Sequence, residues 1–185
     1  PFGFGGWTYQ RNGGVELPSS LQARFDGPYA GLRDFEGKGG LEYVTGDAVI
    51  EVDFEDFNGV TLQDAIKATI SNRRIFDLDG TDITQQYLTA LNSSTLPELR
   101  SLIGPNTIDE NGEFTLEWTS QYVDENGNVV EHLATANDTP STGVFAGNVD
   151  VSPSEVVGIV RVEAEDPISG SPVILRETGG FIAER

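Results

Sequence analysis

Alternation is the feature that most restricts how this chain can fold. In Leu41–Phe57, Ala48, Ile50, Val52 and Phe54 fall on one face, while Asp47, Glu51, Asp53 and Glu55 fall on the other, with Val49 among them. Aliphatics opposed to acids at period two place one face in a core and the other in water. Near the C-terminus, the runs Val156–Ala164 and Val173–Arg176 flank a Pro/Gly/Ser-rich turn at Asp166–Pro172. There β-branching and turn chemistry agree on a hairpin.

The rest of the chain extends the pattern. Phe2, Phe4, Trp7 and Tyr9 alternate around Gly5-Gly6, as in an aromatic strand with a glycine bulge. Leu17–Gly40 reads as one or two short strands with a tight, glycine-rich hairpin. After the Asn58-Gly59 turn, Ala65–Phe76 returns with Ile66, Ala68 and Ile70 inward. Adjacent strand residues point to opposite faces, so Arg73 and Arg74 cannot both look inward; Arg74, in phase with Ile66 and Ile70, is the candidate. Asp77–Asp109 changes period. Ile83, Tyr87, Leu88 and Leu91 have helical spacing, capped by Asp82 or Thr84. Leu96, Leu99, Leu102 and Ile103 then read as a second helix capped by Ser94 or Thr95. In Asp109–Ala136 the β pattern resumes. Phe114, Leu116, Trp118, Ser120 and Tyr122 share a face, and the DENGN loop at 124–128 leads into a partner strand.

These elements add up to an all-β fold, an antiparallel up-and-down β-barrel of about eight strands. The expected organisation is a single domain over 1–185, with a short helical insert at about 77–109 packed across the barrel or closing one end. Closure removes both sheet edges. The final strand, GGFIAER, is expected to meet the aromatic N-terminal strand.

Thirty acids against eleven bases give a net charge of −19. Such a chain repels phosphate backbones and anionic lipid surfaces, so nucleic acid and membrane surfaces are excluded as partners. Having no cysteine excludes disulfides, thiolate catalysis and thiolate-bound metals. No apolar run reaches the ~18 residues of a membrane helix, so no direct insertion of this chain into a membrane is expected; an export signal or lipid anchor is expected upstream of Pro1.

No constellation announces a reaction, and no cofactor is implied. His132, the one histidine, alternates with Val130 and Ala134 as a structural or rim residue, and no nucleophile elbow accompanies it. Asp124, Asn126 and Asn128 imitate the start of a calcium loop, but Val129 stands where glycine is wanted and Thr135 where the bidentate glutamate belongs. Asp77, Asp79 and Asp82 form a second weak calcium-loop candidate. Both groups read first as turns. For a ligand inside the barrel, the candidate contacts are Arg74, Phe114, Trp118 and Tyr122.

The closing stretch also carries a resemblance. FAGNVDVSPSEVVGIV is similar to a segment of the β-barrel domains of bacterial transferrin-binding protein B and its relatives. Phe145 and Gly147 match its aromatic-glycine part, and Ser154, Glu155, Val156, Val157 and Gly158 the part that follows. In GGFIAER, Phe181, Ala183 and Arg185 match the family's last strand, and Gly46–Phe54 looks like its core hairpin strand. Ala146 departs from the usual second aromatic, no lipidated cysteine is seen, and the length suits one barrel where large members have two lobes. The resemblance implies a non-enzymatic, exported binding protein of a Gram-negative bacterium, a lipoprotein of the outer-membrane surface or a periplasmic one. It would present loops and the helical insert to a protein or solute partner. The alternative is a lipocalin-like carrier holding a small hydrophobic ligand inside the barrel.

Overall fold

In the computed structural model, residues 15–18, 21–54, 65–103, 108–109, 111–124, 126–136, 141–146 and 153–185 are described. Among them are ten strands: β1 (Gln22–Glu36), β2 (Leu41–Asp53), β3 (Ile66–Phe76), β4 (Leu99–Ile103), β5 (Glu113–Leu116), β6 (Thr119–Val123), β7 (Val129–Thr135), β8 (Ser141–Ala146), β9 (Glu155–Glu165) and β10 (Ile174–Glu184). The helix α1 (Thr84–Leu91) lies between β3 and β4.

All pairings are antiparallel, and they close a ring of eight staves. The strands β5 and β6 form one stave interrupted at Glu117-Trp118, and β7 and β8 form the next. The first half of β9 pairs with β8, through Val144↔Val157 and Thr142↔Ile159, and its second half with β7, through Thr135↔Val162. The ring is a closed eight-stranded meander, as the alternation and turn spacing foretold. Closure joins β10 to β1. Both edges of β10 are taken, by β9 and by β1, and the aromatic strand expected to meet it falls at residues 1–10. Those residues, like the turn at 58–59 and Gly147, lie outside the described ones.

Two expectations are corrected. Where 17–40 was expected to hold one or two short strands around a hairpin, its described residues form one long strand, β1, and the hairpin falls after it at 37–40. DGPYAG lies inside β1 because its glycines serve close approach rather than a turn: a Cβ at Gly27 would meet the Ile182 carbonyl oxygen at 1.9 Å. Gly27 and Pro28 interrupt the ladder with β10 between Asp26↔Glu184 and Tyr29↔Phe181. The second helix is likewise absent, because Leu99–Ile103 is β4. Leu99, Ser101 and Ile103 are buried and pair along β3, whereas Leu102 is 59% exposed. The leucine spacing mimicked a helix, and pairing with a formed neighbour overrode it.

α1 starts after Asp82, whose Oδ1 accepts the Thr84 N–H at 2.9 Å, and ends at Asn92 in the left-handed conformation. It buries Tyr87 and Leu91 against one end of the barrel. Inside, two chemistries divide the space. Around Phe25, Phe54, Phe114 and Phe145 the filling is aromatic and aliphatic; around Arg33 and Glu177 it is charged.

Candidate functional site

The charged end is built by strand parity. Arg33 lies on the inward face of β1 with Phe25, Tyr29 and Phe35, and Glu177 on the inward face of β10 with Leu175, Phe181 and Ala183. Register sets the two directly opposite. Arg73 from β3 donates to Glu177, as does the Tyr29 hydroxyl at 2.9 Å. Arg33 donates to Glu42 at 2.8 Å, and the Tyr87 hydroxyl of α1 reaches the same carboxylate at 2.8 Å. The guanidinium of Arg33 lies 4.3 Å from the Tyr87 ring centre. Two arginines thus face two glutamates beneath the helix, a neutral sum that a low-dielectric interior demands.

Burial alone would raise the Glu177 carboxyl, but Arg73 and Arg33 outweigh it and hold the group below the ordinary carboxylate range. Burial, then Glu177, drive the Tyr29 phenol well up. Nearby His132 is lowered to about 3, first by burial and then by the repulsion of Arg73 and Arg33. His132 is therefore a neutral interior residue, with Tyr122 edge-on to its ring at 6.3 Å between centres.

Arg74 is not the inward cation. Its side chain is 60% exposed and pairs with Asp82, while Arg73 takes the interior place. The cause is Asn72, at φ 51°, opposite a register shift between Thr45 and Asp47. One added residue reverses the phase of everything after it. Asn tolerates this conformation, so Asn72 beside a glycine-containing partner strand was the available signal.

Of the other proposed ligand contacts, Phe114 and Trp118 are buried parts of the filling and Tyr122 is half-buried. Phe145 packs 5.1–5.8 Å from the rings of Phe114, Phe54 and Phe25, occupying the middle of the aromatic end. A row of glycines lets rings lie flat against the wall. A Cβ would sit 2.3 Å from the Phe181 ring at Gly158, 2.5 Å from Phe114 at Gly143, and 2.5 Å from the Tyr29 hydroxyl at Gly179.

The two acidic loops are turns. Asp77 Oδ1 accepts the N–H groups of Asp79 and Thr81 at 3.0 and 2.8 Å, and Asp124 Oδ1 those of Asn126 and Asn128 at 2.9 and 2.8 Å. Asp82 is lowered to about 2 by Thr84, hydroxyl before N–H, with Arg74 adding to it. No three acidic or histidine side chains come together for a metal ion among the described residues.

The outer wall supplies what sequence inspection missed. Across β1, β10, β9, β8 and β5, two neighbouring rows carry almost no charge. One is Ala30–Gly180–Ile159–Thr142–Thr115; the other is Ile182–Val157–Val144. They line a groove of about 700 Å³ in which Ile182 and Ile159 are 46% and 40% exposed. Along one margin runs the acidic row Asp26–Glu184–Glu155, and Glu113 and Asp109 border the groove as well. The opposite margin is mixed, with Arg176 paired to Glu36. On so acidic a chain, an uncharged belt crossing five strands stands out, and contiguous exposed apolar surface marks interaction sites. The signal was present in the β-branched outward positions of the last hairpin, but only the register aligns them with Ala30 and Val144.

Fold and surface together define a filled antiparallel barrel with an uncharged belt across its outer wall. Among solved structures, two mutants of the vaccine antigen transferrin binding protein B from Haemophilus parasuis Hp5 are similar to it, at 14% and 13% identity. Each covers 91% of this chain, with a TM-score of 0.40, while the chain spans 26% and 28% of theirs. No family model and no curated protein matches the chain.

Proposed function

We propose that this chain is a non-enzymatic binding barrel acting outside the cytoplasm, which holds a protein partner against its uncharged outer belt. The observation that carries the reading is the division between inside and outside. The interior is filled by Phe145 and its ring neighbours at one end and by the Arg33–Glu177–Arg73 network at the other, while the groove of about 700 Å³ lies on the wall. A carrier of a hydrophobic molecule needs room where Phe145 stands. Charge complementarity defines the occupant: an apolar surface edged with basic residues fits a belt bordered by Asp26, Glu184 and Glu155. A second copy would set acid against acid.

The extracytoplasmic setting rests on the motif resemblance in the closing stretch, and α1 with its loops remains a further contact surface. No helix among the described residues is long and apolar enough to cross a membrane. The test compares immobilised wild type with an Ile159→Glu/Ile182→Glu variant in an envelope extract, followed by purified-component binding of whatever is retained. Loss in the variant of a basic partner that binds wild type directly is the expected result. Equal retention by both proteins sinks the belt reading. Protease shaving of intact cells, with complete protection, would rule out surface display and leave a periplasmic protein.

A further inference from the structure

The weakest join in the barrel lies opposite the long hairpins. Between β4 and β6 the single registered pair among the described residues is Arg100↔Thr119. Below it the two walls diverge into a cleft of about 500 Å³, with Ser93, Leu96 and Glu98 on one side and Gln121, Val123 and Val129 on the other. That volume lies within the ~300–1,000 Å³ of ordinary ligand clefts.

The backbone on the β6 wall faces this cleft. Thr135 donates to the Trp118 carbonyl at 3.0 Å and Asp124 to the Asn128 carbonyl at 2.9 Å, so Trp118 and Asp124 turn toward β7. Antiparallel ladders alternate, which turns Thr119, Gln121 and Val123 the other way. On the β4 side, Ala65 donates to the Ile103 carbonyl at 2.8 Å, so Ile103 faces β3; by the same alternation Arg100 faces β6. Glu98, just upstream, continues the phase of Arg100. Beyond Thr119 the β6 edge has no strand partner among the described residues, and Thr119–Val123 contains no charged residue or proline, two of the devices by which exposed edges are protected; the one irregularity is a register shift against β7 at Ser120/Gln121. Val123 and Val129 beside it are 62% and 66% exposed. The inner side of the join is under-satisfied too: Ser101 Oγ, Ser120 Oγ and Trp118 Nε1 are buried without a hydrogen-bond partner.

We infer that this slot takes up one extended, positively charged peptide segment by strand addition, at a site separate from the belt. Backbone edges select an extended chain, alternate apolar side chains would cover Val123 and Val129, and the net charge of −19 selects a cationic one.

The experiment titrates the full chain with a labelled peptide of alternating lysine, valine and threonine, read by anisotropy and by amide chemical shifts. Expected are shifts at Glu98, Gln121 and Val123, and binding roughly tenfold weaker, or lost, in Val123→Pro, which removes an N–H facing the slot and none facing β7. The same peptide N-methylated along one edge should fail on wild type, a result that does not depend on how the variant folds. No binding, equal binding by Val123→Pro or by the methylated peptide, or shifts confined to Ile159 and Ile182 would overturn the inference. Concentration-dependent dimers of wild type that Val123→Pro abolishes would put a second copy in the slot, and would equally overturn it.

Discussion

At one end of the barrel Phe145 packs against Phe25, Phe54 and Phe114; at the other Glu177 is held between Arg33 and Arg73. The aromatic end draws its stability from area removed from water, which tolerates imperfect geometry and ignores pH. The charged end draws little net stability from its ion pairs, because desolvation consumes most of what Coulomb attraction returns. What it gains is intolerance: every member must be present. A partner that needs a rigid wall benefits from both ends, but only the second can be broken by a single proton or a single truncation.

The largest effect should follow Glu177→Ala, which leaves two buried guanidinium groups facing each other. A loss of about 3–5 kcal/mol in urea unfolding at neutral pH is expected. Phe145→Ala should cost a comparable ~3–5 kcal/mol, yet by the same amount at pH 5 and pH 8. Equal pH behaviour of the two variants under acid titration would erase the distinction between the ends. Gly158→Val comes next: its side chain meets the Phe181 ring, and about 1–3 kcal/mol of overpacking is expected in thermal or urea unfolding.

The pH dependence has a definite sign. His132 sits below its unfolded value, so the unfolded chain binds a proton that the folded chain refuses. Its contribution is whole above the ordinary histidine range and declines as pH falls from ~6.5 toward 3, by up to ~1.4 kcal/mol per pH unit. Glu177, also lowered, adds stability that is present above ~4.3 and lost as pH falls through its folded value. His132→Gln should flatten the unfolding midpoint between pH 6 and 4; an unchanged slope would show that the histidine is not held neutral. Smallest of all, Ile159→Thr on the belt should alter stability by less than about 0.5 kcal/mol, so any binding defect it causes belongs to the surface.

Much of this was legible. The inward face of β2 was readable, because Ala48, Ile50, Val52 and, just past its end, Phe54 alternated with acids and are all buried. The register of Arg73 and Arg74 was not, since Asn72 inserts one residue and nothing local to an arginine reports its phase. β4 was hidden by Ser101, which breaks the period-two alternation among leucines that also fit a helix. Arg33 and Glu177 kept perfect parity with buried neighbours. They escaped notice because a charge on a strand is assumed to face water, and only the register reveals that each faces the other. The belt could not be read at all from single strands, for it exists only where five of them align.

The interruption at Gly27 and Pro28 bears on the order of events as the chain is made. Neighbouring staves can pair as soon as each is synthesised, but β1 must wait for β10, the last of them, before its outer edge is covered. Throughout that interval an open sheet carries an edge on which another chain could template itself. Proline has no N–H to offer, and Gly27 weakens the strand beside it, so the waiting edge is interrupted near its middle. A dipeptide that looks like a flaw in the finished ladder thereby guards the unfinished one.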